Sequence, residues 1–85
     1  MKATLEISLY PLLVEGKKEN YKKIIKAFLE EISNNKKIKV ETNGLSSMIF
    51  ADYDDIIQLL NNEVKKYLDN KKSVFIFKLA KGTLK

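Results

Sequence analysis

The chain of 85 residues contains no cysteine, histidine or tryptophan, and all 16 of its basic residues are lysines. Without cysteine it can form no disulfide, thiolate metal site or CxxC redox pair. Without histidine it also lacks the usual general base near neutral pH and the commonest ligand of transition metals. Only carboxylates, lysines and tyrosines remain for chemistry, so we expect a protein that is not an enzyme and uses no metal or cofactor.

The net charge of +5 rests on lysine alone, because the sequence has no arginine. Lysine lacks the planar fork with which arginine contacts phosphate or guanine at two points. The basic composition therefore does not indicate a nucleic-acid partner, and we expect none. The first residues alternate polar and apolar side chains instead of forming a continuous apolar stretch, so we predict no signal peptide and no membrane insertion. A cytoplasmic location follows as the default.

Hydrophobic periodicity predicts four strands and two helices in the order β-α-β-β-α-β. The apolar face of the first strand consists of Ala3, Leu5, Ile7 and Leu9. The apolar stripe of the first helix consists of Tyr21, Ile24, Ile25, Phe28, Leu29 and Ile32, and that of the second of Ile56, Leu59, Leu60, Val64, Tyr67 and Leu68. Pro11 is expected to end the first strand because it has no N–H for a ladder. Asp52 is placed to cap the second helix, with Asp55 adding favourable charge in its first turn. The predicted strands are 2–10, 38–42, 45–51 and 74–79; the first helix is 17–34, and Asp69 and Asn70 close the second.

With right-handed crossovers, this order most simply gives an α+β, ferredoxin-like fold: an antiparallel sheet of order 4-1-3-2 with both helices on one face. No linker or repeat interrupts it, so we expect one domain over residues 1–85. The third and fourth strands are apolar on both sides; Met48 and Phe50, for example, lie opposite Leu45 and Ile49. Such strands are expected where both faces are buried, so we predict a homodimer or homotetramer assembled through sheet faces or edges.

Several families share this topology, and three lack support in these residues. A metallochaperone needs a CxxC pair, and an acylphosphatase-type enzyme needs an arginine for phosphate. An RNA-recognition motif needs aromatic residues on its central strands, and the third strand, Leu45 to Phe50, does not match its consensus.

Three sequence blocks do match a family of this topology, in the right order. They read I-S-L-Y-P-L (7–12), T-N-G-L-S-S (42–47) and A-D-Y-D (51–54). With these blocks the chain resembles the YkoF-type family, whose blocks read S-L-Y-P-L, T-N-G-M-S-T and G-E-Y-D. The resemblance implies non-catalytic binding of thiamine or its hydroxymethylpyrimidine precursor, in supply or transport of the vitamin. The departures are Leu45, Ser47, Ala51 and Asp52; Ala51 narrows the backbone freedom that glycine allows.

A pyrimidine ring needs amide or hydroxyl groups at its edge and an aromatic or apolar wall for its face. The candidates for the edge are Thr42, Asn43, Ser46 and Ser47, and those for the face are Tyr10 or Met48.

The same residues have structural interpretations. Asn43-Gly44 is a typical hairpin turn with positive φ, and Tyr10 can cover the edge of the core. The acidic residues 52, 54 and 55 can pair a cationic ring, although capping explains them first. An alternative function is a structural or regulatory oligomerisation domain that binds no small molecule. A third, an enzyme using Tyr10 with an aspartate, needs a carboxyl or tyrosine of perturbed pKa in a cleft.

Overall fold

The structure is a computed structural model that describes residues 1–12, 20–43, 45–70 and 72–84. The predicted first turn of the first helix, residues 17–19, and the turn residue Gly44 lie outside the described residues, as does the side chain of Tyr21. The described elements are β1 (Lys2–Pro11), α1 (Asn20–Ser33), β2 (Lys39–Thr42), β3 (Ser47–Asp52), a helix α2 over residues 53–70, and β4 (Ser73–Lys81).

The four strands form one antiparallel sheet in the order β2-β3-β1-β4. Read from the other edge, this is the order 4-1-3-2 that the sequence predicts. The first strand lies at the centre, where Leu5 stands opposite Ile49 of β3 and Leu79 of β4. The chain is therefore α+β, with its earliest strand paired on both sides.

Strand β1 includes Pro11, contrary to the prediction that Pro11 would stop it. Leu12 N–H donates to Lys72 O at 2.8 Å, so the even-numbered residues of β1 direct their backbone groups toward β4. Pro11, an odd-numbered residue, faces the side on which β3 pairs only as far as Ile7. Its missing N–H therefore costs no ladder hydrogen bond.

The core lies on the helix-bearing face of the sheet. Alternate side chains of β1 are buried there together with apolar side chains of both helices. Phe28 of α1 is at the centre: its ring is 5.1 Å from the Tyr67 ring of α2, edge to face, and 5.3 Å from the Phe75 ring of β4. These contacts fix both helices against the same face.

Helix α2 has a wider central turn: it is α-helical over Tyr53–Leu59, π-helical over Leu60–Val64 and α-helical again over Lys65–Asn70. Asp52 occupies the N-cap position, but its side chain makes no capping hydrogen bond. Its carboxylate instead lies 3.4 Å from Lys2 Nζ, which corrects the predicted capping role. Leu68, predicted in the apolar stripe, is 52% exposed because the neighbouring Tyr67 occupies the core position.

The face opposite the helices, the open face, is partly covered by the chain itself. Gly82 has a φ of 87°, and here the chain turns back over β1. The buried Thr4 Oγ1 donates to Gly82 O at 2.7 Å and accepts from Leu84 N–H at 2.9 Å. Phe50, which pairs with Thr4, is buried as well. The chain itself therefore covers this face around Thr4, where no second subunit is needed to bury it.

Within the described residues, no helix combines the length and apolar character that a membrane span requires.

The two helices are also joined by an ion pair between Glu31 of α1 and Lys66 of α2. Lys66 Nζ donates to Glu31 Oε1 at 2.7 Å, and this hydrogen bond and charge raise the pKa of the Lys66 ammonium. Burial first, and then Glu31, raise the pKa of the neighbouring Tyr67 hydroxyl. Both groups therefore favour their protonated forms in the folded state.

We expect the folded protein to lose stability above about pH 10. A folded-state pKa above the unfolded value gives stability that is complete below the unfolded pKa and is lost as the pH rises through the folded pKa. Urea midpoints from pH 7 to 11 measure this, with Tyr67→Phe as the variant that lacks the tyrosine contribution. An identical alkaline slope in that variant would show that Tyr67 contributes nothing.

Candidate functional site

A cavity of about 220 Å³ lies where the end of β1, the β2–β3 hairpin and helix α1 meet. Strand alternation places Ile7, Leu9 and Ser47 on the helix-bearing side and Ser8 and Tyr10 on the open side. The described residues that line the cavity are Ile7, Ser8, Leu9, Tyr10, Ile25, Phe28, Leu29, Thr42, Asn43, Leu45, Ser46 and Ser47.

The hairpin at the rim of this cavity is held by the Asn43 side chain. Asn43 Oδ1 accepts hydrogen bonds from Leu45 N–H at 2.7 Å and Ser46 N–H at 2.9 Å. Asn43 N–H donates to Ser46 O at 3.0 Å, and Thr42 opposite Ser47 is the last strand pair. The connection thus spans residues 43–46, and β3 begins at Ser47, not at Leu45 as predicted.

The predicted left-handed turn is not adopted at Asn43, since no described residue other than glycine has positive φ. An asparagine oxygen that accepts from the backbone N–H groups two and three residues later closes the loop in its place. Asn43 therefore has a structural role in the hairpin, as the sequence predicts. It fulfils this role through its side-chain oxygen and not through a positive φ. The other end of the amide, Nδ2, has no partner among the described residues and is available at the rim.

Hydroxyl groups at the hairpin form hydrogen bonds on both sides of the sheet. Thr42 Oγ1 and Ser47 Oγ lie 3.1 Å apart on the helix-bearing side. On the open side, Ser46 Oγ donates to Glu6 Oε2 at 3.1 Å, and Ser8 Oγ donates to Leu45 O at 3.2 Å. Each hydroxyl oxygen keeps a lone pair for a further donor. The hairpin therefore presents hydroxyl groups on both sides of the sheet.

The apolar wall of the cavity comes mainly from helix α1. Phe28, Ile25 and Leu29 line it from the helix side, and Tyr10 lies at the open side. Met48, the second predicted candidate for the wall, does not line the cavity. It lies on the open face and pairs with Glu6 in the sheet.

All five predicted site residues, Tyr10, Thr42, Asn43, Ser46 and Ser47, line this cavity. Their role in binding stays a prediction. The sequence does not single out the wall residues of α1, because their helical spacing is equally typical of core packing. Nor does it single out Glu6, which looks like an ordinary exposed strand residue until the fold places it beside Ser46.

The acidic residues at the start of α2 lie away from this cavity. Asp52 pairs with Lys2 at the opposite end of β1 from the hairpin. These carboxylates are therefore not placed to meet a cationic ligand in the cavity. The described residues include no cluster of three or more acidic side chains arranged to hold a metal ion.

Solved structures of other proteins have the same fold as this chain. The chain matches no protein-family model and no curated protein sequence. It is similar to a Thermotoga maritima protein assigned provisionally to thiamine biosynthesis or salvage, with a TM-score of 0.79 and 17% identity over 96% of this chain and 85% of that one.

Two further structures have the same fold. A hypothetical protein of Methanocaldococcus jannascii gives a TM-score of 0.75 and 24% identity, over 99% of this chain and 84% of that one. A Bacillus cereus domain of unknown function, DUF77, gives a TM-score of 0.73 and 11% identity, over 96% of this chain and 77% of that one. At these identities the similarity establishes the fold.

Proposed function

We propose that this chain is a non-catalytic binding protein for thiamine or its hydroxymethylpyrimidine precursor, acting in supply or transport of the vitamin. The observation that carries the proposal is that all five residues predicted for a pyrimidine site line one cavity. In this proposal the chain is a single-domain, ferredoxin-like protein of the YkoF type that forms a cytoplasmic homo-oligomer. The provisional assignment of the Thermotoga maritima protein to thiamine metabolism agrees with this ligand class.

The chemistry of the cavity suits a pyrimidine. The Nδ2 group of Asn43 can donate to a ring nitrogen, while the oxygens of Thr42 and Ser47 can accept from an exocyclic amine. Ile25 and Leu29, which are half-buried, offer an apolar surface to the ring face. The volume of about 220 Å³ is small for a ligand site. The described walls therefore fit a single substituted ring better than an extended ligand.

One charged group beside the cavity favours a cationic ligand. Glu6 Oε2 is bonded to Ser46, and Lys78 Nζ lies 4.0 Å from Glu6 Oε1. The Lys78 side chain is largely exposed, and an exposed ion pair contributes little. Glu6 thus keeps most of its attraction for a cation such as the thiazolium ring of thiamine. Charge favours thiamine and cavity size favours its precursor, so a titration must compare the two.

We expect isothermal titration calorimetry to give saturable binding of thiamine or hydroxymethylpyrimidine, weakened about 10- to 100-fold in Asn43→Asp. The aspartate keeps the Oδ oxygen that closes the hairpin but replaces the Nδ2 donor by an acceptor. Binding energy is therefore lost while the hairpin remains.

Two controls make the titration decisive. Asn43→Ala removes the acceptor for both backbone N–H groups of the hairpin, so we expect it to lower stability as well as binding. Thermal unfolding of Asn43→Asp at pH 7 should stay close to that of the original protein. No heat with thiamine, its phosphates or hydroxymethylpyrimidine would refute the proposal. Equal affinity of the original protein and Asn43→Asp would remove Asn43 from the site.

The second candidate function is a structural or regulatory assembly domain without a small ligand. It is favoured by the hydroxyl groups of Thr42, Ser46 and Ser47, which already have partners within the chain. It is also favoured by apolar side chains that β4 exposes to solvent. In this case the oligomer forms and the titration shows no heat.

A further inference from the structure

Helix α1 carries a groove that adjoins the cavity. Ile25 and Leu29 line both the groove and the cavity, and both side chains are half-buried. The cavity and the groove therefore share one wall. The described residues that line the groove are Lys22, Ile25, Lys26, Leu29, Glu30 and Ser33.

The two lysines of the groove lie next to the shared wall. Residues three or four positions apart on a helix are neighbours, with Cβ atoms about 5–6 Å apart. Lys22 therefore adjoins Ile25, Lys26 adjoins Leu29, and the two lysines adjoin each other. A lysine carries its ammonium group on a flexible four-carbon stem. Both ammonium groups are thus within one side-chain length of the wall that the groove shares with the cavity.

The positive charge of the groove is only partly compensated. Lys22 and Lys26 are exposed and form no ion pair within the part of the chain that the structure describes. Lys65 and Lys66, in contrast, each pair with a carboxylate. Among the described residues that line the groove, Glu30 supplies the one carboxylate. Two lysines against one glutamate leave an excess of one positive charge.

We propose that the site binds its pyrimidine as a phosphate monoester, with the ring in the cavity and the phosphate in the groove beside Lys22 and Lys26. This inference rests on the proposed function and specifies the ligand class of that site. A phosphate monoester carries a charge of about −1.5 to −2 at pH 7 and three strong acceptor oxygens. Lysine binds phosphate as a point charge, so this contact does not need the planar fork of arginine.

The size and the charge of the cavity both favour this division of the ligand. A volume of about 220 Å³ suits a single substituted ring, so a phosphate attached to the ring extends beyond the cavity. On the open side, Ser46 is bonded to the carboxylate of Glu6, which repels a phosphate. On the side of α1, the lysines attract it. Charge therefore directs the phosphate toward the groove.

Isothermal titration calorimetry can compare each compound with its own phosphate monoester. The two pairs are hydroxymethylpyrimidine with its phosphate and thiamine with its monophosphate. We expect the monoester to bind about 10-fold more tightly in at least one pair, because it adds charge-assisted contacts to lysine. This preference should shrink as salt is added, because the lysines are exposed and salt screens them. The pair that shows the preference identifies which compound carries the phosphate.

Substitutions in the groove test the two lysines. Lys22→Gln combined with Lys26→Gln should abolish the preference for the monoester and leave the affinity for the unphosphorylated compound unchanged. Glutamine has a helix propensity close to that of lysine, so the fold should be kept. Glu30→Gln removes the competing carboxylate and should tighten binding of the monoester.

A second double variant controls for net charge. Lys36→Gln combined with Lys37→Gln removes the same charge from two exposed lysines, which lie between the end of α1 and the start of β2. The cavity lies at the other end of β2, beside Thr42. This control should keep the preference for the monoester. Thermal unfolding of every variant verifies that the fold is retained.

The outcomes separate this inference from the proposed function. Equal or weaker binding of both monoesters would overturn the inference, while saturable binding of the unphosphorylated compounds would still support the proposed function. A preference that survives in the Lys22 and Lys26 double variant would also overturn the inference, as would one that is lost equally in the net-charge control. No heat with any of the four compounds would refute the proposed function and this inference together.

Discussion

Replacing Phe28 by alanine is expected to lower the free energy of unfolding by about 3–5 kcal/mol, a large part of the about 5–15 kcal/mol of a typical domain. Phe28 is 1% exposed and its ring contacts both Tyr67 of α2 and Phe75 of β4. The substitution removes a side chain that joins both helices to the last strand. A cavity remains there because the surrounding backbone relaxes only partly.

Urea unfolding followed by circular dichroism, at one fixed protein concentration, measures this effect. With a slope of about 1 kcal/mol per molar urea, the midpoint should fall by about 3 M or more. Leu68→Ala is the matched control, because Leu68 is a large apolar helix residue that is mostly exposed. This substitution should lower the free energy of unfolding by less than about 1 kcal/mol. Similar losses in the two variants would contradict the central position of Phe28.

Replacing Thr4 by valine should lower the free energy of unfolding by about 1–3 kcal/mol and release the segment of residues 82–84 from the open face. Valine has nearly the same shape as threonine but leaves Gly82 O and Leu84 N–H without their shared partner. Thr4 is 2% exposed, so water cannot readily take the place of its hydroxyl group.

Hydrogen exchange at Leu84 N–H, together with urea unfolding, measures the effect of Thr4→Val. Thr4→Ser keeps the hydroxyl group and should retain slow exchange at Leu84, whereas Thr4→Val should exchange much faster. Fast exchange at Leu84 in the unmodified protein would show that the segment is not held by Thr4 in solution.

The main core positions could be predicted from the sequence because period-2 and period-3.6 patterns report directly which side chains are buried. The strand order could be predicted because right-handed crossovers leave few arrangements for the element order β-α-β-β-α-β. The pattern of Leu5 and Leu9 in β1 and of Phe28 and Ile32 in α1 is confirmed. Pro11 was mispredicted because a rule about proline cannot say which side of the strand its nitrogen faces. That depends on the register with both neighbours.

The candidate site was only partly predictable for a similar reason. Residues that lie close together in the sequence, such as Asn43 and Ser46, could be predicted as parts of one site because they belong to the same sequence block. Glu6 and Phe28 join them only through the register of β1 with β3 and the packing of α1, which are long-range properties. The turn back at Gly82 was also missed, because a single glycine near the end of a strand gives no information about its distant partner, Thr4.

The central place of β1 in the sheet has a consequence for the order in which the chain folds. Of these four strands, β1 is synthesised first. It has β3 on one side and, on the other, β4, which is the last of the four to be synthesised. Until residues 73–81 are available, one whole side of β1 lacks its hydrogen-bond partners. Pairing over some 70 residues of sequence closes a long loop, which slows folding. During synthesis β1 is thus an open template, which a chaperone or a neighbouring nascent chain can occupy before β4 does.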